Sequence, residues 1–155
     1  LPATKANPKE MLPIVDKPLL QYAVEEAVAA GITQLIFVTN NAKYSIENYF
    51  DSNFELESRL KQSEKQELLD IIQNILPKGV SCLYIRQPEP LGLGDAILRA
   101  YPAVGLEPFA VLLADDLLDC PGEGCLKQMI DHYEISRSTI VAVEEILPEQ
   151  SNQYG

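Results

Sequence analysis

Histidine and cysteine are scarce in this chain, and basic residues are outnumbered. A single histidine, His132, occurs among 155 residues. A Ser-His-Asp or Cys-His nucleophile would therefore have one imidazole to draw on. His132 also lies off the apolar stripe of its helical segment and reads as a surface residue. The three cysteines, Cys82, Cys120 and Cys125, are odd in number, which argues against a disulfide framework and fits a reducing cytoplasm. Cys120 and Cys125 have no further soft ligand nearby to complete a zinc site. Lys and Arg total 12 against 23 Asp and Glu, a formal net charge of −11. A surface that acidic repels nucleic-acid phosphates and anionic lipid, so neither nucleic acid nor membrane is expected as a partner. A phosphorylated small molecule stays possible, because it needs only a local cluster of donors. No apolar run approaches the roughly 20 residues of a membrane helix. Lys5, Lys9 and Glu10 interrupt any early apolar stretch that could act as a signal peptide. The tyrosines are scattered, without the spacing of a base-stacking platform. Internal repeats, low-complexity tracts and linkers are absent too.

What is present is a hydrophobic fraction of 46%, arranged in alternating helical and strand-like periods, which suits one α/β domain. Leu20, Ala23, Val24, Ala27 and Val28 recur at helical spacing, with Pro18 before them and Gly31 just past the end. Leu35-Ile36-Phe37-Val38 reads as a buried strand. A short helix is expected over 45–50. The long polar stretch 54–76 carries an apolar stripe of Leu68, Leu69, Ile72, Ile75 and Leu76, closed by Pro77-Lys78-Gly79. Residues 80–85 read as a strand. Leu93, Ala96, Ile97 and Ala100 form a helical stripe that stops before Pro102. Residues 109–113 are continuously apolar, as in a strand covered on both faces. Leu126, Met129, Ile130 and Tyr133 mark another helix, and 139–143 a last strand. The alternation predicts a mostly parallel sheet with helices on both faces, the strands near Leu35, Leu83, Val111 and Val141 lying in one sheet.

Ligands of open parallel sheets bind beyond the carboxyl ends of the strands, and three segments fall there. Asp115-Asp116 follows the most apolar strand. It offers a carboxylate to a hard cation such as Mg²⁺, or else it is a solvated turn. Gln87 through Gly94 combines an amide that can pair with a base edge or sugar hydroxyl with Gly92 and Gly94, which permit close backbone approach at a helix start. A turn followed by a helix would look the same, and Gly-x-Gly alone is a weak signal. The loop Ala3 to Pro13 carries Lys5 and Lys9 between prolines. Lys9 stands near the apolar pair Met11-Leu12, so its ammonium is either held for a phosphate or is an ordinary surface charge.

From Leu1 to Tyr22 the order LPATKANPKEMLPIVDKPLLQY resembles the opening of the bacterial UTP–glucose-1-phosphate uridylyltransferases, a branch of the sugar nucleotidyltransferases. The likeness continues through Ser45-Ile46-Glu47-Asn48-Tyr49-Phe50-Asp51, Phe54-Glu55-Leu56-Glu57, Arg86-Gln87, Leu91-Gly92-Leu93-Gly94 and Asp115, and so covers essentially the whole chain. The resemblance implies a Rossmann-like fold and a single partial nucleotidyltransferase domain over 1–155. It also implies Mg²⁺-dependent transfer of UMP from UTP to glucose 1-phosphate, in the cytoplasm. By resemblance Lys9 contacts phosphate, Gln87 and Gly92 read the uracil edge, and Asp115 binds the metal. The neighbours Ala114 and Asp116 depart from the usual residues beside that aspartate, and Asn7 replaces a usually apolar residue. Family members carry a strand and a glycine-rich loop ahead of the position of Leu1, and further segments past Gly155. The chain is therefore expected to be the interior of a domain, inactive alone, with a sheet position that self-association would cover. The thymidylyltransferase branch and a non-catalytic nucleotide-binding or regulatory fragment are the alternatives. The Pro-Ala-Thr-Lys and Pro-Lys-Glu-Met sequences favour the uridylyl branch.

Overall fold

The computed structural model describes residues 2–120, 122–147 and 149. The chain opens with two 3₁₀ turns, Pro2–Thr4 and Lys9–Met11. A short antiparallel hairpin follows, β1 (Pro13–Ile14) against β2 (Lys17–Pro18). Helix α1 (Leu19–Ala29) starts directly from it. The Tyr22 hydroxyl donates to the Ile14 carbonyl at 2.8 Å and ties helix to hairpin. Gly31, at φ +94°, ends α1 in the left-handed conformation that favours glycine. Its N–H bonds to the Val28 carbonyl and that of Ile32 to Ala27, so the last carbonyls of the helix are satisfied.

Strand β3 (Gln34–Thr39) pairs in parallel with β4 (Ser81–Arg86), in the register Leu35 to Cys82 through Thr39 to Arg86. The crossover between them holds three helices, α2 (Tyr44–Phe50), α3 (Phe54–Gln62) and α4 (Gln66–Gln73). Asn53 caps α3 by accepting the Leu56 N–H. The long polar stretch thus becomes two short helices, broken at 63–65, where Glu64 takes φ +53°. Helix α5 (Leu93–Val104) starts after Gly92 and lies against both β3 and β4. It runs on through Pro102 instead of stopping before it, because Ala103 and Val104 complete the last turn. Helix α6 (Cys125–Ser136) packs on α1.

The core is built on one face of the β3–β4 pair. Leu20 and Val24 of α1 and Ile46 and Phe50 of α2 are buried together, flanked by Leu35, Phe37, Ile75, Leu76 and Ala114. Phe37 is stacked between Phe50, 5.0 Å away, and Tyr84, 5.5 Å away. Burying a side chain such as Phe50 contributes about 1.5–3 kcal/mol, so this aromatic file is a main source of cohesion.

Two expected strands are corrected by the structure. Residues 109–113 and 139–143 join no ladder, and among the described residues the parallel sheet has two strands. Phe109 is 57% exposed and Val143 90%. A continuous apolar run becomes a strand only where a neighbouring backbone supplies hydrogen bonds, and no described segment pairs with these two. Among the described residues no helix is long and apolar enough to cross a membrane.

Candidate functional site

The carboxyl ends of β3 and β4 gather the candidate residues. The Gln87 N–H extends the ladder by donating to the Thr39 carbonyl at 2.8 Å, which places Gln87 at that end of the sheet. The turn after β3 leads to Lys43. Its ammonium donates to Glu10 Oε1 at 2.6 Å. Glu10 is only 7% exposed, and its second oxygen, Oε2, is buried without a partner. This partly buried pair fixes the Lys9–Met11 turn against the strand end. The neighbouring residue, Lys9, donates from its ammonium to Asp115 across 106 positions of sequence.

Both members of that second pair are substantially exposed, so the bond contributes at most about 1 kcal/mol to stability. It matters instead for charge. The hydrogen bond from Lys9 holds the Asp115 carboxyl below the ordinary aspartate range, with help from the nearby Lys43 ammonium. Asp115 in turn raises Lys9. Asp115 is tied to the turn after β3 by geometry: it bonds to Lys9, whose neighbour Glu10 pairs with Lys43. The Asp116 N–H donates to the Leu113 carbonyl, which turns the chain there.

Asp115 is therefore an ionised, accessible carboxylate with a second one, Asp116, beside it. Among the described residues no group of three or more His, Cys, Asp or Glu gathers as a protein cage for a metal. One or two carboxylates without a cage match the needs of Mg²⁺, which takes the rest of its shell from phosphate oxygens and water. The donor set fits that ion.

The second half of the site surrounds Gln87. Its side-chain nitrogen donates to the Gly92 carbonyl at 3.1 Å and to Asp95 Oδ2 at 2.8 Å. Gly92 takes φ +93°, open to glycine and strained for other residues. Asp95, in the first turn of α5, also faces Arg99 at 3.3 Å. The bond from Gln87, then that from Arg99, lowers its pKa.

The chain matches the family model described as nucleotidyl transferase over residues 1–155. It belongs to the nucleotidyl transferase family. Among curated relatives, it is 56% identical to the UTP–glucose-1-phosphate uridylyltransferase of Escherichia coli K12 over 160 residues, covering 100% of this chain and 53% of the relative. Among solved structures, it resembles an apo UDP-glucose pyrophosphorylase with a TM-score of 0.87 and 47% identity, covering 100% of this chain and 57% of that one. It also resembles a UTP-bound UGPase from Acinetobacter baumannii with a TM-score of 0.85 and 51% identity, covering 89% and 49%. The chain thus spans about half the length of the curated relatives it matches.

Within this nucleotidyltransferase fold, the four residues singled out from sequence fall into two clusters, Lys9 with Asp115 and Gln87 with Gly92. Glu10, Lys43 and Asp95 escaped sequence reasoning. Glu10 and Lys43 lie 33 positions apart and carry no shared motif. Asp95 follows the Gly-x-Gly segment, where an acidic residue in a first helical turn has an ordinary explanation in the helix dipole.

Proposed function

We propose that this chain is the nucleotide-binding part of a UTP–glucose-1-phosphate uridylyltransferase, which transfers UMP from UTP to glucose 1-phosphate and releases pyrophosphate. The observation that carries the reading is the Lys9–Asp115 pair, tied to the turn after β3 through Glu10 and Lys43, while Gln87 extends β4 at that end of the sheet. It combines a cation for phosphate with a carboxylate for metal at one end of the sheet. The relatives named above carry the uridylyl or UDP-glucose name, and one was solved with UTP bound, which favours this branch over the thymidylyl one.

In the proposed reaction a phosphate oxygen of glucose 1-phosphate attacks the α-phosphorus of UTP. The bond from that phosphorus to the bridging oxygen breaks, and pyrophosphate leaves with the electron pair. Such a displacement depends on placement and charge neutralisation more than on covalent help from the protein. Lys9 contacts phosphate, held in reach by the Glu10–Lys43 anchor of its turn. Gln87 pairs with the uracil edge, and the glycine at position 92 lets the base approach the backbone. Asp115 holds Mg²⁺, with Asp116 adjacent. When bound, that ion neutralises charge on the phosphates. The setting is the cytoplasm, in keeping with three free cysteines. Homo-oligomer formation covers the exposed apolar side chains of 109–113 and 139–143.

A pyrophosphate-release assay with UTP, glucose 1-phosphate and Mg²⁺ tests the reading in the protein that carries this chain. Asp115→Ala is expected to abolish Mg²⁺-dependent turnover, and Lys9→Ala to lower it by about two orders of magnitude, on the scale of losing one charge-stabilising donor. Normal turnover in both variants removes these residues from the reaction.

A further inference from the structure

The Gln87 amide is locked in one orientation, and the lock has a consequence for nucleotide choice. A glutamine side chain offers two N–H donors and one carbonyl acceptor. Here the nitrogen faces two oxygens, the Gly92 carbonyl at 3.1 Å and Asp95 Oδ2 at 2.8 Å. Neither can donate: one is a backbone carbonyl, and the other belongs to a carboxylate that Arg99 also faces. Turning the amide over would set Gln87 Oε1 against both acceptors and leave them unpaired, which is unfavourable at a partly buried contact. Both amide hydrogens are thus spent inside the protein. The carbonyl oxygen is what Gln87 has left to offer a ligand.

We propose that Asp95 is a positioning residue for base selection: by holding the Gln87 amide nitrogen, it makes Gln87 an acceptor-only reader that selects a base with a ring N–H. Uracil and thymine present N3–H to such an oxygen. Cytosine presents a bare N3 lone pair there, and two acceptors repel. The inference rests on the reading of Gln87 as the base contact and adds the residue that sets its polarity. Arg99 balances the charge of Asp95, its Nε facing the same Oδ2 at 3.4 Å, and has no hydrogen bond to Gln87, so it supplies a control.

The test is equilibrium binding of UTP, CTP and N3-methyl-UTP to the protein, by calorimetry. The unaltered protein is expected to prefer UTP over both others. Asp95→Asn puts a donor beside Gln87 and permits the flipped amide. The UTP-to-CTP affinity ratio should then fall about tenfold, the scale of one mispaired polar contact. Arg99→Gln should leave the ratio unchanged, and Gln87→Ala should erase it. A general loosening of the fold would weaken both nucleotides together and leave the ratio alone. If Gln87→Ala keeps the ratio, or UTP does not bind, the base reading fails and takes the proposal with it. If Gln87→Ala erases the ratio while Asp95→Asn retains it, the base reading stands and the lock is overturned. A measurement without any variant covers the case of misfolding. In a spectrum of ¹⁵N-glutamine-labelled protein, the two Gln87 Nε2 hydrogens should stay protected from exchange when UTP is added. Loss of that protection on binding shows that the nitrogen turns to the base and overturns the lock.

Discussion

Residues 35–38 and 109–113 are both short, continuous apolar runs, yet they meet different fates. The first lies in β3, bonded along its length to β4, with Phe37 stacked between Phe50 and Tyr84. The second joins no ladder, and Phe109, Val111 and Leu113 stand in contact with solvent. What holds the later part of the chain to the earlier part is specific and mostly polar. Lys9 grips Asp115. Glu26 of α1 accepts the Leu126 N–H at 2.9 Å, placing a carboxylate on the first turn of α6. Leu126 is buried, and Ala114 packs on the core. Apolar composition supplies the tendency to be buried, while a neighbouring backbone decides whether a run becomes a strand.

The largest expected contrast is in amide exchange. The alternate amides of 35–38 and 82–85 that face the partner strand should exchange orders of magnitude more slowly than those of 110–113 and 140–143, because ladder bonds open only with the core. Equal protection would mean that both runs are bonded alike. Protection of 110–113 that grows with protein concentration would show that self-association covers the run.

Phe50→Ala comes next. It should cost about 3–5 kcal/mol in urea unfolding, since it removes the buried end of the aromatic file that packs on Phe37. Val143→Ala, on a largely exposed side chain, should stay within about 0.5 kcal/mol.

The two polar ties give smaller effects. Glu26→Gln removes a charged partner from the α6 N-terminus and should destabilise by about 1 kcal/mol. Exchange at Leu126 should speed up while β3 is unaffected. The Lys9–Asp115 pair gives the smallest effect, at most about 1 kcal/mol and reduced by salt. The folded pKa of Asp115 is depressed, so its contribution is complete above the unfolded aspartate value of about 3.9. It is lost as pH falls through the lower folded value. The folded pKa of Lys9 is raised, so its contribution is complete below about 10.4 and is lost as pH rises through the higher folded value. Between those limits the difference in stability between the protein and Lys9→Met should be flat with pH. A difference that persists where Asp115 is protonated in the folded protein would mean that Lys9 acts through packing and not through charge.

Much of the core was legible in the chain itself. The spacing of Leu20, Val24 and Ala27, the glycine at 31 and the apolar run at 35 state local preferences, and each appears where the pattern puts it. Of the candidate site, the structure brings the four expected residues together in two pairs, Lys9 with Asp115 and Gln87 with Gly92. The partners of those residues were not legible. That Glu10 is buried under Lys43, and that Asp95 holds the Gln87 amide, depends on distances between segments that periodicity does not encode.

By itself the sequence determined helix α1 with its buried face, strands β3 and β4 and the apolar stripes of α5 and α6, because these follow from backbone preferences and from 3.6- and 2-residue periods acting over a few positions. The tertiary structure decided which apolar runs became strands, where the ammonium of Lys9 rests and which way the Gln87 amide points. Each of these is settled by a donor or acceptor brought from elsewhere in the chain, and a hydrogen bond forms only when both partners arrive at about 3 Å in the right orientation.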